Sequence, residues 1–254
     1  MAAIPLNDDH PVRRAPIVAY GLIAVNVLVY LLSPQATTAV WYPVDFFERI
    51  CAIDAYFMRW GAIPDEMLGR VDLAEPLTPE CGGIDGKVVW FSVVSSMFLH
   101  GGAMHLLGNM VYLFVFGPVV EDRIGKVRFL ALYLVTGLVA AYGHALVDQD
   151  GGVPMIGASG AISGVLGAYL VVQFRSRVTT LVFWVIPMRL PGWAVVGSYF
   201  ALQYLLYVTS STAPGGGSNV AYAAHVYGFV AGVITGLLVY RLRWRSGTRL
   251  SDVH

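Results

Sequence analysis

Residues 157–164 read Gly-Ala-Ser-Gly-Ala-Ile-Ser-Gly, and the apolar run that they begin continues to Val172. The stretch places the hydroxyl of Ser159 between small residues at the head of a hydrophobic segment. A serine in such a position either allows close helix packing through its small side chain or acts as a nucleophile. The rest of the chain decides between these, because a serine nucleophile needs a base and further polar groups nearby.

Composition indicates a membrane protein with several spans. Of the 254 residues, 57% are hydrophobic and 13% are charged, against roughly 25% charged in soluble domains. The formal net charge is zero, so nothing indicates a nucleic-acid partner. The two cysteines, Cys51 and Cys81, match no zinc spacing. A disulfide between them is possible if their segment faces an oxidising compartment.

The apolar stretches predict six membrane spans, since a transmembrane helix needs about 20 mostly apolar residues. The candidate stretches, of which the fourth is short, are 15–33, 103–119, 127–147, 157–174, 191–210 and 220–240. The first run is too long for a cleavable signal peptide. We therefore expect an all-α membrane protein that forms one domain over residues 1–254, with a six-helix bundle at about 15–241.

Three apolar or aromatic segments are predicted to lie outside the spans. The 34–90 loop is long and rich in aromatic residues, which favours short helices at the membrane surface. Residues 88–99 would make the second span too long and are placed before it. Residues 179–188 are too few to cross and have arginines at both ends, which suggests a hairpin at the interface.

Basic residues predict the orientation, because short loops rich in Lys and Arg stay in the cytoplasm. Twelve of the sixteen Lys and Arg residues fall on one side of the six-span topology. The other four share the 34–90 loop with nine carboxylates. The short tails at 1–14 and 242–254 are therefore predicted to be cytoplasmic, and the 34–90 loop to lie outside.

This topology places four polar side chains at a similar depth near the outer leaflet. His105 and Asn109 lie in the first two turns of span two, Ser159 begins span four, and His225 lies early in span six. Polar residues inside spans are costly and by default indicate function. Ser159 and His225 form a candidate nucleophile and base. His105, Asn109 and the Ser159 N–H are candidate donors to an oxyanion.

The glycines around these residues also fit a non-catalytic interpretation, in which the small residues serve only to let the helices pack closely. They are Gly157, Gly160, Gly164 and Gly167 near span four and Gly228, Gly232 and Gly236 on span six. Both readings share the glycines, because close packing would also bring Ser159 and His225 together. They differ only over the polar side chains.

Four stretches, in this order, resemble motifs of the rhomboid intramembrane serine proteases. They are His100-Gly-Gly-Ala-Met-His105-Leu-Leu-Gly-Asn109; Gly117 with Glu121-Asp-Arg123-Ile-Gly125; Gly157-Ala158-Ser159-Gly160; and Ala224-His225-Val-Tyr-Gly228-Phe-Val-Ala-Gly232. Their order and spacing agree with the family over about 15–241. Each motif alone is weak evidence, but the ordered set inside six spans is specific.

The resemblance implies a serine endopeptidase that cuts single-span membrane proteins in or near the bilayer. It implies a dyad of Ser159 and His225 with no acidic third member, and an oxyanion hole formed by His105, Asn109 and the Ser159 N–H. It implies no metal or organic cofactor. A multi-pass enzyme of a bacterial plasma membrane is expected, while the substrate and the oligomeric state stay unknown.

Two positions depart from the family pattern. Trp90-Phe91 stands where members often carry Trp-Arg in the first loop. Ser163 stands where some members carry an aromatic residue that packs on the catalytic histidine, so Tyr222 or Tyr227 could orient His225 instead. Two further histidines are assigned other roles: His144 a loop or surface position, and His100 a hydrogen bond to the first loop.

Two other classes of function are alternatives to a protease. A non-catalytic rhomboid-like protein that binds membrane clients would lack the nucleophile or the base, and this sequence has both. A transporter or channel would show repeated spans or intramembrane acids. The sequence shows neither.

Overall fold

The structure, a computed structural model, describes residues 3–40, 44–72, 81, 86–148, 151–183, 185–212 and 221–245. These ranges are mostly helical. The helices are α1 (Ile17–Leu32), α2 (Pro34–Val40), α3 (Phe46–Trp60), α4 (Pro64–Met67), α5 (Val89–Ser95), α6 (Ala103–Ile124), α7 (Lys126–Val147), α8 (Ser159–Val172), α9 (Gly192–Thr212) and α10 (Tyr222–Arg245). The strands are β1 (Ala3–Asp8), β2 (Arg177–Val182) and β3 (Ile186–Pro191).

Each of the six predicted spans overlaps one of the helices α1, α6, α7, α8, α9 and α10, and both α6 and α10 extend five residues beyond the predicted end. By length and composition, α6, α7 and the Tyr222–Val239 part of α10 can cross a membrane, and α1 and α8 are apolar but shorter. The chain is therefore a multi-pass membrane protein. The number of six crossings stays a prediction.

Helix α8 lies at the centre of the bundle and is short. It contacts α6, α7, α9 and α10, and its residues from Gly160 to Tyr169 are all buried. Its 14 residues give a length of about 21 Å, whereas the hydrocarbon core of a bilayer is about 30 Å thick. A central helix of this length cannot reach both surfaces of the membrane.

Backbone-to-backbone contact joins α8 to α10. A Cβ added at Gly228 would overlap the carbonyl oxygen of Gly160, and one at Gly232 would overlap that of Gly164. On its other side α8 is equally close to α7, because a Cβ at Gly160 would lie 2.7 Å from the Cβ of Ala140. A side chain at these positions would overlap its neighbours, so glycine is the residue that permits these close approaches.

A three-stranded antiparallel sheet, in the order β1-β2-β3, covers one end of the bundle. The hairpin predicted near 179–188 is confirmed by the pairing of β2 with β3. Strand β1 pairs with β2, and the carboxylate of Asp8 accepts hydrogen bonds from the hydroxyls of Tyr169 and Ser176. The described chain is mostly helical, as expected, but the all-α prediction omits this sheet, and part of the predicted tail at 1–14 is a strand. Strand β1 was not predicted because it forms only by pairing with a strand about 175 residues away.

The 34–90 segment contains the short helices α2, α3 and α4. A disulfide joins Cys51 on α3 to Cys81, and a buried ion pair joins Lys87 to Glu66 on α4. Lys87 lies four residues before Phe91, which stands where the family pattern has an arginine. Its ion pair with Glu66 anchors this end of the segment to α4. Residues 41–43, 73–80 and 82–85 of the predicted loop, and 246–254 of the predicted C-terminal tail, lie outside the described residues.

Candidate active site

The turn that leads into α8 depends on Gly157. Its φ of +126° is one that glycine adopts and side chains rarely do. Its N–H donates to the carbonyl of Ser96 at 2.9 Å, which ties the start of α8 to the segment before α6. A Cβ at this position would lie 2.9 Å from Nε2 of His105. The glycine therefore lets the His105 ring lie against the turn that leads into α8, two residues before Ser159.

Ser159 and His225 meet between α8 and α10. The Ser159 Oγ lies 2.7 Å from Nε2 of His225, within the range for transfer of a proton to a general base. The imidazole is 8% exposed. The glycine contact between the two helices lies close by, since Gly160 directly follows Ser159 and Gly228 lies about one turn after His225. This contact sets the distance at which the two side chains meet.

The other ring nitrogen of His225 bonds to Gln203 on α9. The distance from Nδ1 to the side-chain oxygen Oε1 of Gln203 is 2.7 Å, and Gln203 is 5% exposed. Sequence reasoning did not select this residue. Its signal was present: a glutamine inside the apolar span at 191–210 is the kind of polar residue that indicates function in a membrane.

The tyrosines considered as partners of His225 lie differently. The Tyr222 ring stands edge-on to the imidazole with a centroid distance of 6.3 Å. Tyr227 packs against Gly143 on α7. Ser163, at the position of the family's aromatic residue, is hydrogen-bonded to the hydroxyl of Tyr199 at 3.0 Å. Of these side chains, the ring of Tyr222 is the one that pairs with the histidine ring.

Helix α6 carries His105 and Asn109 four residues apart, on one face. Asn109 is 7% exposed, and its Nδ2 has no hydrogen-bond partner among the residues that the structure describes. A buried amide donor without a partner is costly, and such groups are rare in folded proteins. The arrangement leaves this N–H group available to an oxygen atom of a bound molecule.

The two remaining histidines are arranged differently. His100 is buried and packs edge-on against His105, with a centroid distance of 5.1 Å. Burial, with a smaller contribution from His105, lowers the pKa of His100 to about 4, so His100 is neutral at pH 7. His144, near the end of α7, lies 3.6 Å from the carboxylate of Asp148 and is half-buried rather than at the surface.

Within the described part of the chain, no group of three or more His, Cys, Asp or Glu side chains could hold a metal ion. A cavity of about 620 Å³ lies at the other end of α6, where Arg14, Glu121 and Arg128 contribute to its lining. It is therefore separated from His105 by most of the helix length.

Comparison with known proteins identifies similarity to rhomboid proteins. The family model described as "Rhomboid domain" matches residues 87–242. The putative rhomboid protease YdcA of Bacillus subtilis is 29% identical over 157 residues, which cover 61% of this chain and 70% of that protein. The rhomboid protease GlpG of Haemophilus influenzae is 27% identical over 158 residues, which cover 62% and 73%. RHOMBOID-like protein 5 of Arabidopsis thaliana is 30% identical over 171 residues, which cover 65% and 50%.

Proposed function

The chain belongs to the rhomboid family, whose domain model matches more than half of it, and we propose that it is an intramembrane serine endopeptidase. The observation that carries the proposal is the distance of 2.7 Å between Ser159 Oγ and His225 Nε2. Relatives that are named as proteases support the reaction class. Close packing of α8 on α10 needs the glycines but does not need a serine hydroxyl paired with an imidazole.

The dyad acts in two half-reactions. Nε2 of His225 takes the Ser159 proton while Oγ attacks the scissile carbonyl carbon, which forms a tetrahedral intermediate. The imidazolium then protonates the leaving amine as the C–N bond breaks, which leaves an acyl-enzyme. Water attacks the ester, gives its proton to Nε2 and releases the carboxyl product, and Ser159 recovers its proton from the histidine.

The oxyanion needs hydrogen-bond donors that are oriented before the reaction begins. The Nδ2 of Asn109 is buried and without a partner in the described residues, and the His105 ring lies beside Gly157, two residues before the nucleophile. The backbone N–H of Ser159 is among the unpaired donors at the positive end of α8. These three groups are proposed to bind the oxyanion.

The short central helix supports a site within the membrane. Because α8 spans only about 21 Å, its first residue can lie below the surface and still be reached by water from that side. We propose six crossings, cytoplasmic termini and a site near the outer leaflet of a bacterial plasma membrane. Besides the distribution of basic residues, the disulfide between Cys51 and Cys81 supports an oxidising environment for the 34–90 segment.

The proposed substrates are single-span membrane proteins. A substrate helix must expose its scissile backbone to be cut, and unpaired backbone groups are costly in lipid. Helices with destabilised segments of small residues should therefore be preferred. The alternative function is non-catalytic binding of membrane clients, and it predicts that the Ser159 hydroxyl is dispensable.

The test uses a single-span fluorescent reporter in liposomes with the purified protein. We expect wild type to cleave it, and Ser159→Ala and His225→Ala to lose cleavage by at least about 10³-fold. Ser92→Ala is the matched control, because it removes another buried hydroxyl, which bonds to the Val89 carbonyl within α5 and not to the dyad, and it should cleave. Equal cleavage by wild type and Ser159→Ala would exclude the dyad, and cleavage by none would favour the client-binding alternative.

A further inference from the structure

His225 is held by two hydrogen bonds, one at each ring nitrogen. Nε2 faces Ser159, and Nδ1 faces Oε1 of Gln203, with both distances at 2.7 Å. The glutamine is buried, and it comes from α9, a different helix from those that carry the dyad. The family resemblance implies a catalytic dyad with no third residue. The mechanism proposed above therefore does not use Gln203.

We propose that Gln203 is the positioning residue of the dyad, fixing both the ring orientation and the tautomer of His225. This inference rests on the proposed protease function. The side-chain oxygen of Gln203 accepts a hydrogen bond from the Nδ1–H of His225. The unprotonated Nε2 then faces the Ser159 hydroxyl and can accept its proton.

The tautomer matters because neutral imidazole has one N–H and one acceptor nitrogen. Only the form with the proton on Nδ1 leaves Nε2 free to act as a base toward Ser159. Which nitrogen is protonated is set by the hydrogen bond that the other part of the ring makes. An amide oxygen at Nδ1 favours the competent form, and it still accepts from Nδ1–H after the ring has gained a second proton.

A glutamine suits this position better than a carboxylate does. An ionised acid is costly inside a bilayer, whereas the amide carries no charge and needs none to select the tautomer. It also replaces the ring contact of the family pattern, because Ser163 at that position bonds to Tyr199 instead of packing on the histidine.

The position of Gln203 on α9 is itself fixed by a neighbour. Tyr199 and Gln203 are four residues apart and so lie on the same face of the helix. Tyr199 bonds to Ser163 on α8, while Gln203 bonds to His225 on α10. Helix α9 therefore contacts both helices of the dyad through polar groups, and the amide is held at a defined height beside the imidazole.

A purely structural role is the rival explanation. Polar side chains often join transmembrane helices by hydrogen bonds, and Gln203 could serve only to attach α9 to α10. That role predicts a loss of thermal stability when the bond is removed, with the turnover of the folded protein and the tautomer of His225 unchanged. The two explanations therefore differ in measurable ways.

The kinetic test compares Gln203→Leu, which removes the acceptor, with Gln203→Glu, which keeps an acceptor oxygen at the same reach. We expect Gln203→Leu to lower kcat by about tenfold with KM within about twofold, and Gln203→Glu to recover most of the loss. Leu202→Met is the matched control, since it alters an exposed neighbour on α9. Wild-type kcat in folded Gln203→Leu would overturn the inference.

The second readout is the ¹⁵N spectrum of histidine-labelled protein, which distinguishes the two neutral tautomers. The His225 signals are identified by their loss in His225→Ala. We expect the proton on Nδ1 in wild type and in Gln203→Glu, and a mixture of tautomers in Gln203→Leu. An unchanged tautomer in Gln203→Leu would show that Gln203 only joins the helices.

The two proposals can fail separately. If wild type does not cleave the reporter, the protease function fails, and the ¹⁵N spectrum still decides whether Gln203 sets the tautomer. If wild type cleaves and Gln203→Leu matches it in kcat and spectrum, the dyad stands and the role of Gln203 is refuted.

Discussion

Helix α8 is joined to α10 and to α9 in two different ways. Against α10 the contact is glycine on glycine, with Gly228 and Gly232 set against the backbone of Gly160 and Gly164. Against α9 the contact is made by side chains, such as the hydrogen bond from Tyr199 to Ser163. Side chains also join α9 to α10, because the ring of Phe200 on α9 stacks on the ring of Phe229 on α10, with ring centroids 4.3 Å apart.

The difference matters for the chemistry. A contact between backbones has no side chain that can move aside, so the distance between the helices is tightly fixed. Ser159 and His225 lie within one turn of that contact. A contact between side chains can repack, so α9 can tolerate substitutions that α10 cannot. The following predictions test this contrast, from the largest expected effect to the smallest.

Gly228→Val should have the largest effect. The new side chain would overlap the carbonyl oxygen of Gly160, which forces α8 and α10 apart. A displacement of about 1 Å costs about 10²-fold in rate, and overpacking costs about 1–3 kcal/mol of stability. We expect cleavage to fall by at least about 10²-fold and the melting temperature to fall as well.

The matched control is Gly197→Val on α9, where a Cβ would meet no atom within 4 Å. This variant should stay folded and cleave within about twofold of wild type. Similar losses of cleavage in both variants would show that the glycine contact between α8 and α10 does not control the activity.

Asn109→Ala should lower turnover without changing the fold. Its Nδ2 donates to no group among the described residues, so the substitution removes no hydrogen bond that this N–H group donates within the protein, but an oxyanion loses a donor. The loss of one such donor typically costs about 10²-fold in kcat. Steady-state kinetics and thermal unfolding should show a large loss of kcat with a nearly constant melting temperature. Unchanged kcat would remove Asn109 from the oxyanion hole.

The disulfide should affect stability more than catalysis. Cys51 and Cys81 are separated by 30 residues, and neither lies on α8, α9 or α10. Replacing both with serine should lower the melting temperature by about 5–10 °C. Cleavage at 25 °C should stay within about threefold of wild type. A loss of cleavage in protein that is still folded would show that the site depends on the 34–90 segment.

Phe200→Leu should have the smallest effect. The stacked ring on Phe229 contributes about 1 kcal/mol beyond its area burial, and a leucine can partly refill the space. We expect cleavage within about twofold of wild type and a small decrease in melting temperature. A loss as large as that of Gly228→Val would contradict the contrast between the two contacts.

Sequence reasoning located the helices and the candidate site because both signals are local. Apolar runs of span length predict helices, and the small residues around Ser159 and after His225 predict close packing. The positions of six helices follow from such runs. The juxtaposition of Ser159 with His225 follows from the resemblance to a family and from the predicted topology.

Features that depend on distant pairs were not predictable in this way. Strand β1 is six residues long and has no partner within 160 residues, so its sequence resembles a tail. Gln203 is one polar residue in an apolar span, and only the packing of α9 on α10 shows that it bonds to His225. The replacement of the family's aromatic residue by Ser163 indicated that another group was needed, but not which one.

Labelling with a serine-directed fluorophosphonate, followed by mass spectrometry of the modified peptide, tests the central claim most directly. A serine paired with a working base reacts, whereas a packing serine does not. The account predicts label on Ser159 in wild type, and none at that residue in His225→Ala or in protein with Ser159→Ala. Label of equal extent in wild type and both variants, or absent from Ser159 in wild type that cleaves the reporter, would contradict it.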